Sequence, residues 1–433
     1  MPALLLAVAA LLYLQRQVLP LLGDRGTGVA GLASHANDFK HLYLGAFLLR
    51  NDVSPFDEVA IRSQAAERSL AEDPRFRTIL PYVYLPFTGV VLSPLTRLGF
   101  ADAVVAWQLA NHLMLLGALA LLAAGALPGD RLPLFGVLLL MASLDGALFR
   151  QNNAGQLNVV LLFGYALVWR LLSAGAPAWA LGTAAAFFAL FKLSPGILFA
   201  WLLLRGKSLA AVWMAGAGAA LLLLSLLFAR AGFYLEFLPQ LEAMRYGRST
   251  WEHLGMTFWR DPYNQSINAL LHRTLVPFEG SGITPWAALP PGAANALTWL
   301  ASIAVIALLL RAGRRSPAEA PPFAAAVAAS LLLPSLMWDH YLVQLYAAGA
   351  VLWIGRGDSG SPRWLPWTLS LAWVVSAVPV ALDAEPLRSG PGVALMSVKL
   401  LPPVAIFGAA VLLSRRGQAD SLTPANPAAH SAP

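Results

Sequence analysis

The chain has 433 residues, of which 58% are hydrophobic and only 12% charged, about half the charge of an ordinary soluble domain. Its net charge of +7 is scattered along the chain rather than clustered, which argues against nucleic acid as a partner. There is no cysteine, so disulfides, thiol catalysis and cysteine–metal sites are excluded; the seven histidines form no paired metal-binding spacing, and no metal site or cofactor is expected. The chain reads as an all-α polytopic membrane protein with the lipid bilayer as a partner.

Runs of roughly 20 apolar residues, the length that crosses a bilayer, predict twelve transmembrane helices. They lie near 2–22, 82–98, 101–125, 132–149, 155–173, 178–204, 208–230, 292–311, 321–336, 339–356, 364–382 and 391–414. The first lacks a basic flank and a small-residue cleavage site, and reads as a retained span. With both termini cytoplasmic, the short inner loops and the C-terminal flank hold Arg97, Arg150, Arg205, Lys207, Arg311, Arg314, Arg315, Arg356, Arg363, Arg415 and Arg416. The short outer loops then hold only Arg131, Arg170 and Arg388. Eleven against three sets the orientation. It makes 1–416 one membrane domain with two long extracytoplasmic loops, near 24–80 and 231–290, and 417–433 a disordered cytoplasmic tail. An active site facing outward belongs in those loops.

In the first long loop, Phe39, Leu42, Tyr43, Ala46 and Phe47 recur at helical spacing. That predicts an amphipathic helix lying beside the bilayer, with Asn37 as N-cap and Asp38 in the first turn. There Asp38 is either a base at headgroup depth or simply a favourable first-turn residue. Asp57, in the turn Ser54-Pro55-Phe56-Asp57-Glu58, reads as structural. The segment Gly155-Gln156-Leu157-Asn158 falls at the cytoplasmic end in this topology, beside Arg150. Lys192 lies about 14 residues into the sixth span, roughly 20 Å along it, with Pro195 just beyond to break the helix. A charge at that depth is expensive and marks a functional candidate, yet this topology sets it far from an outer-face site. His112 and Asp145 read as buried packing or network residues.

Arg260, in the second long loop, is either a two-pronged phosphate ligand or a loop arginine paired with Asp261. Asn264, Gln265 and Ser266 offer neutral hydrogen bonds, and Ser266 also reads as a cap for a helix through 267–273. Trp338-Asp339-His340-Tyr341 opens the tenth span at its outer end.

Several short segments carry a resemblance to a known family. They are Asp38-Phe39 with Tyr43, Ser54-Pro55-Phe56-Asp57, Tyr84-Leu85-Pro86, Gly155-Gln156-Leu157-Asn158, Lys192-Leu193-Ser194-Pro195, Asn264-Gln265-Ser266 and Trp338-Asp339-His340-Tyr341. In that order they resemble glycosyltransferase family 87, the polyprenyl-phosphate-mannose-dependent mannosyltransferases of the GT-C superfamily. Phe56 and Leu85 depart from the family's usual Tyr and Pro.

The resemblance implies a GT-C-like bundle in a bacterial cytoplasmic membrane. Its reaction is inverting transfer of a hexose, mannose by the family, from a polyprenyl-phosphate donor to a lipid-linked or cell-envelope glycan acceptor. Asp38 is then the catalytic base; His340, Arg260, Lys192, Asn264, Gln265 and Ser266 contact donor phosphate or sugar; Asp339, Tyr43 and Tyr84 orient them. A phosphate leaving group needs cationic stabilisation but no general acid, so one carboxylate suffices. The rival reading is a transporter or flippase for a lipid-linked sugar.

Overall fold

The computed structural model describes residues 2–20, 36–68, 70, 81–358 and 362–422. Every regular element among them is helical, and their one β contact is an isolated bridge between Asn264 and Trp338. Helix α1 (Pro2–Tyr13) runs into a π-helical turn at Leu14–Val18. The described part of the first long loop contains α2 (Asn37–Arg50) and α3 (Glu58–Glu67), followed by the seven-residue α4 (Pro86–Leu92) and a 3-10 turn at Ser93–Arg97. Then come α5 (Phe100–Ala124), α6 (Arg131–Leu144), α7 (Gly146–Ala154), α8 (Asn158–Ser173), α9 (Ala178–Phe191), α10 (Ile197–Leu204) and α11 (Ser208–Ser225). The second long loop carries α12 (Ala231–Ala243) and α13 (Ile267–Leu275). The rest comprises α14 (Pro291–Arg315), α15 (Ala320–Leu332), α16 (Leu345–Ile354), α17 (Trp364–Ala377), the one-turn α18 (Gly392–Leu395) and α19 (Leu401–Leu422).

Among the described residues, four helical stretches are long and apolar enough to cross a membrane: α5, α11, α14 and Val398–Arg415. The stretch Pro128–Leu144 with Gly146–Ala154 makes a fifth if counted as one span, bent by 68°. The bend falls where Asp145 leaves helical geometry and its carboxylate accepts from the amides of Ala147 (2.7 Å) and Leu148 (3.3 Å), capping α7. Helix α19 is described as far as Leu422; residues 423–433 of the expected tail lie outside the described residues, as do 21–35, 69 and 71–80 of the first long loop.

Two sequence expectations about the path of the chain are corrected. Residues 82–98 do not form a spanning helix. They stay beside α2, where Arg50 donates to Thr96 (3.1 Å) and Tyr43 to the Leu98 carbonyl (2.9 Å). Pro86 opens α4 and Pro94 stands in the first turn of the 3-10 segment after it, positions where the missing proline amide costs nothing, whereas inside a continuous spanning helix it would. Residues 178–204, conversely, are two helices that double back. Helix α9 brings Phe191 against Phe87, and the carbonyls of Leu190 and Phe191 to the Thr88 hydroxyl. Lys192 is extended (φ −156°, ψ 132°), and α10 returns to place Trp201 on Phe323, which also packs Trp169 of α8.

The first correction keeps residues 82–98 at one end of the bundle and the second returns the chain along it, so the later helices keep their expected ends. At the end remote from Asp38, Trp169 and Ile354 close in on Gly125, and Arg205 binds Glu319 (2.9 Å). Arg131 and Arg170 belong to that end, whereas Arg97 and Arg150 belong to the Asp38 end. Two residues leave each group and two join it, so the charge count remains eleven to three.

Helix α2 is also not a surface helix. Phe39, Lys40, Leu42, Tyr43, Leu44 and Ala46 are all at most 2% exposed, so nearly every face is packed inside the protein. It begins at Asn37 with Ala36 in the capping position, and Asp38 sits in the first turn as expected. Asp57 is structural, as read: its carboxylate caps α3 through Val59 (2.9 Å) and Ala60 (3.0 Å).

The two long loops are joined at one end of the bundle. Asp52 pairs with Arg230, Ser54 donates to Glu236, and His253 meets Glu58 at 2.5 Å.

Candidate active site

The first turn of α2 holds the half-buried Asp38 against the start of α8. Gln156 Nε2 donates to Asp38 Oδ2 at 2.6 Å. The other amide atom, Oε1, accepts from the Tyr84 hydroxyl (3.2 Å) and from the Leu157 amide (3.3 Å). Gln156 therefore lies at the Asp38 end of the bundle and not at the opposite end. The segment gets there because α7 bends inward at Asp145 and stops at Gly155. That glycine has φ +69°, donates to the carbonyls of Gln151 and Asn152 (both 3.1 Å), and accepts from the Trp107 indole (2.7 Å).

Phe39 stacks on Trp107 with centroids 5.5 Å apart, so one aromatic layer holds both Asp38 and Gly155. A Cβ on Gly155 would stand 2.7 Å from Phe39 Cβ. Gly155→Ala is accordingly expected to cost about 1–2 kcal/mol from the left-handed backbone alone, with a further penalty from the clash, and to push Asp38 out of place. Thermal unfolding in detergent together with transfer rate checks this: both fall.

Lys192 stands at the turn between α9 and α10, on the same side as Asp38. Pro195 opens a fresh 3-10 turn after it, which removes the depth problem the spanning-helix reading posed. Its Nζ lies 3.3 Å from the Tyr341 ring centroid and is buried without a hydrogen-bond partner among the described residues. Asp38 is near enough for its charge to act on Lys192, Tyr84 and Tyr341. Beside Tyr341 is His340, whose Nε2 is likewise buried without a partner. Its Nδ1 is 3.6 Å from Asp339 Oδ1, and Arg150 meets Asp339 Oδ2 at 2.6 Å. Asp339 thus faces both His340 and Arg150.

A network of carboxamides lies beneath these groups. Asn158 donates to Gln151 Oε1 (2.8 Å), Gln344 donates to Asn158 Oδ1 (3.0 Å), and Asn152 donates to Gln17 Oε1 (3.2 Å). His112, read as buried packing, bonds Tyr13 at 2.6 Å. Tyr346 donates to Asp145 at 2.9 Å, which is the buried network role expected of that aspartate.

The second long loop does not deliver its residues in the expected way. Asn264 donates to the carbonyls of Phe258 (2.9 Å) and Ser335 (3.1 Å) and accepts from Ser266 and Met337 (both 3.1 Å). Gln265 donates to Pro262 (2.6 Å) and Met396 (2.8 Å) and accepts from Lys399 (3.0 Å). Ser266 caps α13 through Ala269 (3.1 Å) and donates to Ser335 (2.7 Å). All three are fully buried, and the hydrogen bonds expected for sugar hydroxyls are made to backbone that staples this loop to 335–337 and 396–399. Arg260 packs over Trp259 (4.0 Å) and Phe278 (3.8 Å) and donates to Pro277 within its own loop, and burial lowers its pKa to about 10. Tyr43, expected to orient the base, instead braces the aromatic layer through Phe100, its ring centroid 5.3 Å away.

Arg273, unremarked in the sequence, is fully buried and binds the carbonyls of Asp261 and Asn264 (2.9 Å for the latter) and Ser397. Its neighbour His272 donates from Nδ1 to the Asn268 carbonyl (2.9 Å), and burial lowers its pKa. The folded state holds this ring neutral where an unfolded chain, titrating near 6.5, takes up a proton. Stability is therefore full at pH 7.5 and falls as the pH drops below about 6.5. Melting curves at pH 7.5 and 5.5 should differ by less in His272→Gln than in the wild type.

Gln156, Arg150 and Tyr341 are the site residues that sequence reasoning misplaced or passed over. The signal was present for Gln156 in its motif, but the span count put it at the wrong end.

The family model for glycosyltransferase family 87 matches residues 82–337. No curated protein and no solved structure matches the chain.

Proposed function

The chain belongs to glycosyltransferase family 87, matched over more than half its length, and from that premise we propose which sugar transfer its site performs. The donor is a polyprenyl-phosphate hexose, mannose by family resemblance. The acceptor is a lipid-linked or cell-envelope glycan, met on the outer face of a bacterial cytoplasmic membrane.

The observation that carries the reading is the pairing of one half-buried carboxylate with two buried, unpartnered nitrogens. Lys192 Nζ and His340 Nε2 have no hydrogen-bond partner among the described residues. A buried ammonium without a partner is costly; a donor phosphate satisfies it. As the bond from C1 to the phosphate oxygen breaks, its electrons pass to that oxygen and are stabilised by these donors. The acceptor oxygen attacks C1 from the opposite side and gives its proton to Asp38. With a single displacement the configuration at C1 inverts. Asp339 and Arg150 hold His340 in place, and Arg260, Asn264, Gln265 and Ser266 support the loop above without contacting the donor.

The test is transfer from labelled polyprenyl-phosphate mannose into total membrane lipid by the protein in liposomes, with the anomeric configuration read by NMR. A new glycolipid of inverted configuration is the expected product. Retention at C1, or label left on the donor for every polyprenyl-phosphate sugar offered, overturns the reading.

A further inference from the structure

We infer that Gln156 positions the Asp38 base and that Tyr84 and the Leu157 amide together fix which way the Gln156 amide faces; the inference rests on Asp38 being the base.

A carboxamide can present either its NH2 or its carbonyl to a neighbour, and only the NH2 is compatible with an ionised carboxylate. Here the choice is made by the donor-only backbone amide of Leu157, with the Tyr84 hydroxyl reinforcing it. Both donate to Gln156 Oε1, so the NH2 faces Asp38 Oδ2 at 2.6 Å. The backbone of Gln156 is held as well: its amide donates to the Gln151 carbonyl (3.2 Å), and the Gln151 side chain donates to the Gln156 carbonyl (2.5 Å).

Two chemical consequences follow. The N–H bond holds the Asp38 carboxylate in one rotation. Because it occupies Oδ2, the acceptor's proton is delivered to Oδ1, and the carboxylate enters the reaction already turned. Gln156 touches neither sugar nor acceptor in this arrangement, so it is a positioning residue.

The experiment compares full-length Gln156→Glu, Gln156→Leu and Tyr84→Phe with Asp38→Asn in the labelled-donor assay across pH, with thermal unfolding of each. Gln156→Glu keeps an acceptor for Tyr84 but replaces the donor to Asp38 with a second carboxyl group. Two carboxyls in contact resist joint ionisation, so the acidic limb of its pH–rate profile moves to higher pH by about one unit or more. Gln156→Leu lowers kcat by about 10–100-fold, the usual effect of removing an orienting partner, with KM for the donor within about twofold. Tyr84→Phe gives a smaller kcat loss in the same direction, since the Leu157 amide alone then holds the side-chain amide in that orientation.

A purely structural Gln156 predicts the wild-type pH profile in Gln156→Glu, and that result overturns the assignment even where Gln156→Leu fails to fold. Asp38→Asn with wild-type transfer removes the base itself and this assignment with it. Asp38→Asn inactive beside an unshifted Gln156→Glu profile overturns the positioning role alone.

Discussion

Asp38→Asn lowers kcat by about 10²–10⁴-fold, the range a single general base contributes, while donor affinity stays the same or tightens. Asparagine is nearly the shape of aspartate and still offers an oxygen to Gln156 Nε2, so the first turn of α2 is preserved. It has no lone pair basic enough to take the acceptor's proton. The affinity prediction has its own cause: the anion acting on Lys192 is gone, so the ammonium faces an incoming phosphate with one competitor fewer. Initial rates and equilibrium binding of labelled donor separate the two effects. A variant that turns over at the wild-type rate takes Asp38 out of the reaction. One that loses donor binding in proportion to rate makes it a binding residue instead.

Lys192→Met is expected to move binding and stability in opposite directions. The ammonium lies on the Tyr341 ring, buried and without a hydrogen-bond partner among the described residues. Methionine fills similar space without requiring solvation. Donor affinity falls about 10–100-fold, the equivalent of one charge-assisted hydrogen bond of 1.5–3 kcal/mol. The unliganded protein melts at the same temperature or higher, because an uncompensated buried charge has been removed. Thermal unfolding with and without donor reads both: the wild type shifts upward on adding donor and the variant shifts far less. A variant that is destabilised yet binds donor normally would make Lys192 a structural residue.

The helical membrane class was legible from composition, and the family from seven short segments in order. What the sequence concealed was the path between them. The run 82–98 looks long enough to cross, but Pro86 and Pro94 divide it. The run 178–204 looks like one span, yet at 27 residues it is longer than a bilayer needs and carries Lys-Leu-Ser-Pro in its middle. These errors offset each other in the charge count, so the count gave no warning, while Gln156 and Arg150 were carried to the wrong end. Asn264 and Gln265 were illegible for another reason. Both look like free polar groups in a loop, and only the approach of carbonyls from Ser335 and Met396 uses them up. A side chain's availability depends on backbone far away in sequence. The cap roles of Asp57 and Ser266 depend on neighbours two or three residues away, and those were readable.

The pairs that join the two long loops span 178, 182 and 195 residues of chain. During synthesis at about 5–20 residues per second, Glu58 therefore waits on the order of 10–40 s for His253 to be made. Asp38 waits longer still, until the turn bearing His340 and Tyr341 is in place. Over that interval the nascent chain carries its carboxylate, and later Lys192 as well, without the imidazole that completes the site, so catalytic competence arrives late in biogenesis. A ribosome-stalled intermediate ending before Trp338 would already contain both partners of the pairs that join the two loops and would still lack transferase activity.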